Sequence, residues 1–127
     1  MMESLPDIQQ KLLGAVGLAT RARGCIIGTT LCVDTMRAGK GHLLLVAGDV
    51  SENTRKRLIK TAEFHKIPYA ETTLEKQMLA HAAGKKADAA SVLFTEPGFV
   101  KIVEKYGIKI HTTNTEVLDL YGSNTEV

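Results

Sequence analysis

Two short apolar runs constrain this chain more than anything else in it. The first, LLLVA, lies within His42 to Ala47, and the second, AASVLF, runs from Ala89 to Phe94. Both are too short for a typical helix and neither alternates with polar residues. Such runs suit strands buried on both faces, so something must cover each side of the sheet they form. The covers are legible as amphipathic segments between and around the runs. A first helix carries Ile8, Leu12, Val16 and Ala19 on one face, with Ser4 as its cap and Pro6 and Asp7 in its opening turn. A third helix from Ser51 to about His65 buries Leu58, Ile59, Ala62 and Phe64 and exposes Arg55, Lys56, Arg57 and Lys60. Thr72 or Thr73 caps a fourth helix from Leu74 to Ala83, closed by Gly84. Thr95 caps a fifth, with Pro97 in its first turn and Phe99, Ile102, Val103 and Tyr106 as its apolar stripe.

Two further strands fall into the gaps. Cys25-Ile26-Ile27 is one, and Ile67-Pro68-Tyr69-Ala70 is a short extended segment whose proline belongs at a strand start or edge. Strands and helices alternating in this order predict an α/β chain: a three-layer α/β/α sandwich around a small four-stranded sheet. The length of 127 residues suits one domain. Residues 1–107 form the predicted body and 108–127 a C-terminal extension. Ile108-Lys109-Ile110 could add an edge strand there, the end is expected to be mobile, and Asn-Thr-Glu-Val recurs at 114–117 and 124–127. Two copies of four residues are no repeat architecture.

The stretch from Gly24 to Lys40 is where binding chemistry is expected. After the strand comes a tight turn at Gly28 and a helix opening at Thr29-Thr30, where a threonine hydroxyl can cap the first turn. Free N–H groups and the positive end of the helix dipole would then face phosphate or polar base edges. Gly39 closes the helix. An ordinary βα turn is the plainer reading of the same residues.

Charge is compatible with a nucleic-acid partner without demanding one. The net charge is +2, yet the chain through Tyr106 carries 15 bases against 11 acids, and the tail is mildly acidic. Cys25 and Cys32 have neither zinc nor disulfide spacing and read as buried free thiols. The start, MMESLPD, is acidic, the apolar run near Leu12 is broken by Gly14 and Gly17, and no segment approaches the roughly 20 apolar residues of a membrane span. A reducing cytoplasm is the expected compartment, with no membrane partner.

Catalytic motifs are missing from the sequence. It has no phosphate loop of the Gly-x-x-x-x-Gly-Lys-Ser/Thr type, no dinucleotide fingerprint and no nucleophile elbow. His42, His65, His81 and His111 are scattered, without metal-ligand pairing. Asp49 follows a buried strand, where α/β catalytic acids often lie, but a loop residue hydrogen-bonding the next helix is the preferred reading. Gly84-Lys85-Lys86 reads as a helix end satisfied by cations. Neither an enzyme activity, a cofactor nor a metal site is expected.

The segments GLATRARG, IIGTT, MRAGK, LLLVAGDVSENTRKRL, HKIPYAETT, LAHAAGK and SVLFTEPGF follow one another in this order between Leu12 and Tyr106. Together they resemble the kink-turn RNA-binding superfamily of ribosomal proteins, the L-seven-Ae and L-thirty-e group, and look closest to its bacterial YlxQ-like branch. The resemblance implies a ribosomal L-thirty-e-like fold with a mixed sheet and RNA binding without catalysis. The implied partner is a structured RNA, ribosomal or kink-turn-like, with ribosomal protein contacts as a further expectation. In that family the helix after the first strand enters a kinked RNA at tandem sheared G·A pairs, through a motif of Gly, any residue, Asn, Glu, two residues and Lys. Here Gly28 keeps the glycine and Thr29 the free position, whereas Thr30, Leu31 and Asp34 replace the asparagine, glutamate and lysine. An acid in place of the lysine would repel phosphate. The implied second contact, covering bases turned out of the stack, is the loop Thr72-Thr73-Leu74-Glu75. Leu74 could cover a base there or be the first buried residue of the helix. Arg37, Lys40, Arg23 and Lys76 could supply phosphate contacts.

Three functions fit these residues. The leading one is a non-catalytic RNA-binding protein, ribosome-associated or of the kink-turn type. The second is a protein-interaction module that keeps the fold without the RNA, with Leu31 as its contact. The third is a small enzyme or ligand-binding protein using Asp49.

Overall fold

The computed structural model describes residues 6–112, and the Ser4 cap, the end of the extension and the repeated tetrapeptide lie outside them. The order of elements is α1 (Asp7–Arg21), β1 (Cys25–Ile27), α2 (Thr29–Arg37), β2 (Leu43–Val46), α3 (Glu52–Phe64), β3 (Tyr69–Glu71), α4 (Lys76–Ala82), β4 (Ser91–Phe94) and α5 (Pro97–Glu104). The four strands form one mixed sheet in the order β1-β4-β2-β3. β4 runs antiparallel to both β1 and β2, and β2 runs parallel to β3.

Strand alternation sorts the core into two clusters. Leu43, Leu45, Val92 and Phe94 face α1, α4 and α5, together with Leu12, Val16, Leu74, Leu79 and Val103. Leu44, Val46 and Leu93 face α2 and α3, with Cys32, Val33, Met36, Leu58 and Ala62. The two continuous apolar runs are thus covered on both sides, as their lack of alternation requires. Phe94 stacks on Phe99 with ring centroids 6.3 Å apart, which ties α5 to the sheet.

Several helix ends differ from the sequence expectation, for one shared reason. A propensity for capping does not decide which residue turns the chain. α1 begins after Pro6, not after Ser4. α4 begins at Lys76, two residues later than expected, and neither Thr72 nor Thr73 caps it. Thr72 is engaged elsewhere: its N–H and hydroxyl both donate to the Val46 carbonyl, each at 2.9 Å. α5 follows Glu96, not Thr95, with Pro97 in its first turn as expected. Ser51 does cap α3, accepting from the Thr54 N–H at 3.2 Å.

Three residues expected on buried faces are exposed. Phe64 is 82% exposed, Ile8 43% and Ile102 37%. With about 3.6 residues per turn, Phe64 falls on the opposite side of α3 from Leu58, Ile59 and Ala62, on the outward face with Arg57 and Lys60. Ile108 to Ile110 forms no strand either. His111 makes a single antiparallel bridge to Tyr69, with N–H to O distances of 3.0 and 2.7 Å, and their rings stack at 4.9 Å.

The two cysteines are free thiols. Cys32 is fully buried and donates to the Ile26 carbonyl, whereas Cys25 is half-buried beside Thr20. Burial pushes the Cys32 thiol up to about 12 and raises that of Cys25 as well. Thiolate is the reactive form, so alkylation by iodoacetamide near pH 8 should leave Cys32 unlabelled in the native chain and label it in urea. A raised thiol pKa favours the neutral form in the folded state. Its contribution to stability is therefore complete below the unfolded value of 9.0 and is lost as pH rises toward about 12. Native labelling of Cys32 at the rate of Cys25 would contradict its burial.

Candidate nucleic-acid interface

Strand directions decide which loops meet. Because β1, β2 and β3 run one way and β4 the other, their exits and the entry of β4 lie along one edge of the sheet. Ile27 sits opposite Val92, and Val46 lies between Ser91 and Glu71. The start of α2, the loop before α3, the segment 72–75 and the loop from Gly84 to Asp88 converge there. At about 4.8 Å per strand, the outermost exits are about 14 Å apart.

Gly28 makes the turn into α2. Its φ of +101° with ψ of 157° belongs to a region that is essentially restricted to glycine. Its N–H donates to the Ser91 carbonyl at 3.0 Å, and its carbonyl accepts the first helical bond, from the Cys32 N–H. Gly28 is itself the cap residue and no side chain caps α2, so the expected threonine cap at Thr29 or Thr30 is not formed. The amides of Thr29, Thr30 and Leu31 are left facing out of the helix end. Gly28 and Thr29 line an open concavity of about 290 Å³ with Val50, Ser51, Thr54, Lys76, Asp88 and Ala90. Thr30 and Asp34 are exposed, and Leu31 is 61% exposed.

The 72–75 segment is clamped to β2. The Gly48 N–H donates to the Leu74 carbonyl at 2.8 Å, and a side chain at Gly48 would meet the Thr72 carbonyl oxygen at 2.7 Å. Asp49 accepts from the Lys76 N–H at 2.8 Å and so caps α4 from a distant loop. That engagement with a helix is the structural role preferred for Asp49, though its helix is α4 instead of the adjacent α3. The Gln9 side-chain amide donates to the Thr73 hydroxyl. Thr73 and Glu75 are exposed, but Leu74 is fully buried. Its side chain belongs to the α1–α4 core, so the base-covering alternative for Leu74 is not the one the fold adopts.

The proposed phosphate contacts divide between two ends of the molecule. Lys76 borders the concavity. Arg37 lies at the far end of α2, about 12 Å along the helix from Thr29. Lys40 precedes β2 and Arg23 precedes β1, so both sit by the opposite edge of the sheet. The sequence carries no strand directions, so it offers all four as phosphate contacts without separating them. Gly84-Lys85-Lys86 follows the end of α4, as the sequence leads one to expect. Lys85, Lys86 and Asp88 also line a groove of about 860 Å³ between α1 and α4, together with Glu75. The linings of the two concavities are mixed in sign, with Arg21, Lys76, Lys85 and Lys86 against Glu75 and Asp88.

Residues 10–104 match the model of the ribosomal protein L7Ae/L30e/S12e/Gadd45 family. The chain belongs to that family. It is 32% identical over 84 residues to the RNA-binding protein YlxQ of Bacillus subtilis, covering 66% of this chain and 82% of that one. It is 30% identical over 93 residues to the YlxQ of Enterococcus faecium, covering 73% and 87%. Among solved structures, a Bacillus halodurans protein of unknown function aligns with a TM-score of 0.67 at 26% identity, over 74% of this chain and 93% of that one. A Giardia lamblia 15.5kD RNA binding protein aligns with a TM-score of 0.65 at 16% identity, over 80% and 86%, which bears on the fold alone. Membership agrees with the α/β fold and its mixed four-stranded sheet. Among the described residues no group of side chains could hold a metal ion, and no helix is long and apolar enough to cross a membrane.

Proposed function

We propose that this chain is a non-catalytic RNA-binding protein of the cytoplasm that recognises a kinked, structured RNA of the kink-turn or ribosomal type. The observation that carries the reading is the start of α2. The amides of Thr29, Thr30 and Leu31 have no side-chain cap, and the helix start at Gly28 and Thr29 opens onto a concavity shared with Lys76. An undistorted RNA major groove is too narrow for a helix, so a kinked or looped RNA is the form that admits one. Amides can contact phosphate or base edges whatever side chains they carry. The curated relatives, both called RNA-binding proteins, support an RNA partner. On this reading Gly28, Thr29, Thr30 and Leu31 approach the RNA most closely, Thr73 and Glu75 border it, and residues 1–107 form the binding body.

The test compares a fluorescent kink-turn RNA with a straight duplex of equal length at two salt concentrations. We expect about a tenfold preference for the kinked form, one hydrogen-bonded contact's worth of discrimination, persisting at higher salt. Equal affinities would remove kink-turn recognition. Leu31, 61% exposed at the rim, favours a second reading as a protein-binding surface. Protein partners that survive ribonuclease treatment and are lost on Leu31→Lys would decide for it.

A further inference from the structure

The end of the molecule opposite the α2 start holds a different kind of surface. Arg37, Lys60, Thr61, Phe64 and His65 line a concavity of about 320 Å³ between the last turns of α2 and α3. No carboxylate lines it. Phe64 projects 82% exposed, and its ring neighbour among the described residues is His65, at 5.0 Å and an interplanar angle of 80°. Neither Arg37 nor Lys60 takes part in any of the ion pairs found among the described residues. The acids next along the two helices, Glu63 and Asp34, form no ion pair with either cation among the described residues. Glu63 accepts from the Tyr69 hydroxyl at 3.2 Å, and Asp34 lies one turn earlier on α2.

An exposed aromatic ring sharing a concavity with two cations outside any ion pair matches the chemistry of an unpaired nucleotide. The ring offers a stacking face to any base, and the cations offer charge to the phosphates on either side. A lipid surface would call for several apolar side chains in one plane, and a protein partner gains little from cations that have nothing to pair with. The separation from the first site also fits a single ligand. α3 spans about 18 Å from its start beside the concavity of Gly28 to Phe64.

Resting on the reading of this chain as an RNA-binding protein, we infer that Phe64, with Arg37 and Lys60, forms a second contact that stacks an unpaired base of a single-stranded segment. The first site takes the kinked helix, and this one takes a strand leaving it. The phosphates flanking the stacked base lie against the guanidinium and ammonium groups.

The probes are an oligouridine of about ten nucleotides, within the range of single-strand sites, and a kink-turn RNA with blunt ends. Both are titrated by fluorescence anisotropy into the full chain and its Phe64→Ala, Phe64→Trp and Lys60→Gln variants. Phe64→Ala should weaken oligouridine binding roughly 5- to 150-fold, the range found for removing one stacked base. Phe64→Trp should retain it, and Lys60→Gln should lower the salt slope by about one phosphate contact. The His65 ring protons should shift on binding oligouridine, from the ring current of the adjacent base. Blunt kink-turn RNA should bind the Phe64→Ala variant as it binds the parent, because the first site is untouched. Absence of oligouridine binding by the parent, or equal binding by Phe64→Ala, overturns the inference. Loss of kink-turn preference alone counts against the first site and leaves this one standing.

Discussion

Replacing three exposed residues of α2 should raise affinity for a kink-turn RNA about 100-fold. The variant is Thr30→Asn, Leu31→Glu and Asp34→Lys, which restores the side chains implied by the kink-turn resemblance. Each hydrogen-bonded base contact contributes roughly 1–3 kcal/mol of discrimination, and about 1.4 kcal/mol is tenfold in affinity. Two such contacts account for the gain, and exchanging an acid for a base adds attraction where repulsion stood. The structure makes the substitution safe for the fold. Thr30, Leu31 and Asp34 are exposed, whereas Cys32, Val33 and Met36 hold α2 to the sheet. Gly28 already sets the turn that aims these positions. Anisotropy titrations at matched salt measure the effect. The dependence of log Kd on log salt should steepen by about one contact through Asp34→Lys. A triple variant with the parent's affinity for kinked RNA, and an unchanged salt slope, would mean that α2 does not meet the RNA at this end.

How far the sequence could be read depended on whether a feature was local. LLLVA and SVLF announced buried strands because lack of alternation is a local property, and both are fully buried. Ser51 was legible as a cap for the same reason. Gly28 was legible as a turn, but not as a cap residue with φ of +101°, since its conformation follows from the Ser91 carbonyl it must reach across the sheet. Asp49 shows the limit more sharply. Its carboxylate caps a helix that begins 27 positions later, a partnership that no pattern of spacing reveals. Phe64 is expected on the buried face of α3 for its size and apolarity, yet helical spacing sets it opposite Leu58, Ile59 and Ala62 and beside Arg57 and Lys60. The site itself followed from strand direction. With β4 antiparallel between β1 and β2, Thr29 and Lys76 share an edge while Arg37, Lys40 and Arg23 fall at the other. Charge counts along the chain could not make that division.

Leu74 shows how a core side chain and a base-covering one would differ by experiment. Leu74→Ala should lower the free energy of unfolding by about 2–5 kcal/mol, a large part of the roughly 5–15 kcal/mol that holds a domain together. The side chain is fully exposed to the core and not at all to solvent, in the cluster that holds Leu12, Val16 and Leu79. Truncating it leaves a cavity under α1 and α4 that the clamped loop cannot collapse into, because Gly48 and Thr72 fix its backbone to β2. Leu74→Met keeps the volume and should cost less than about 1.5 kcal/mol. Urea unfolding with an unchanged m value measures both. RNA affinity, taken well below the melting temperature of the weaker variant, should stay at the parent's level, since the backbone bond from Gly48 to Leu74 does not need the side chain. The opposite pattern, intact stability with RNA affinity lost, would place the leucine over a base and out of the core. Then the edge that gathers Gly28, Lys76 and this loop would have to be redrawn around a mobile side chain instead of a fixed one.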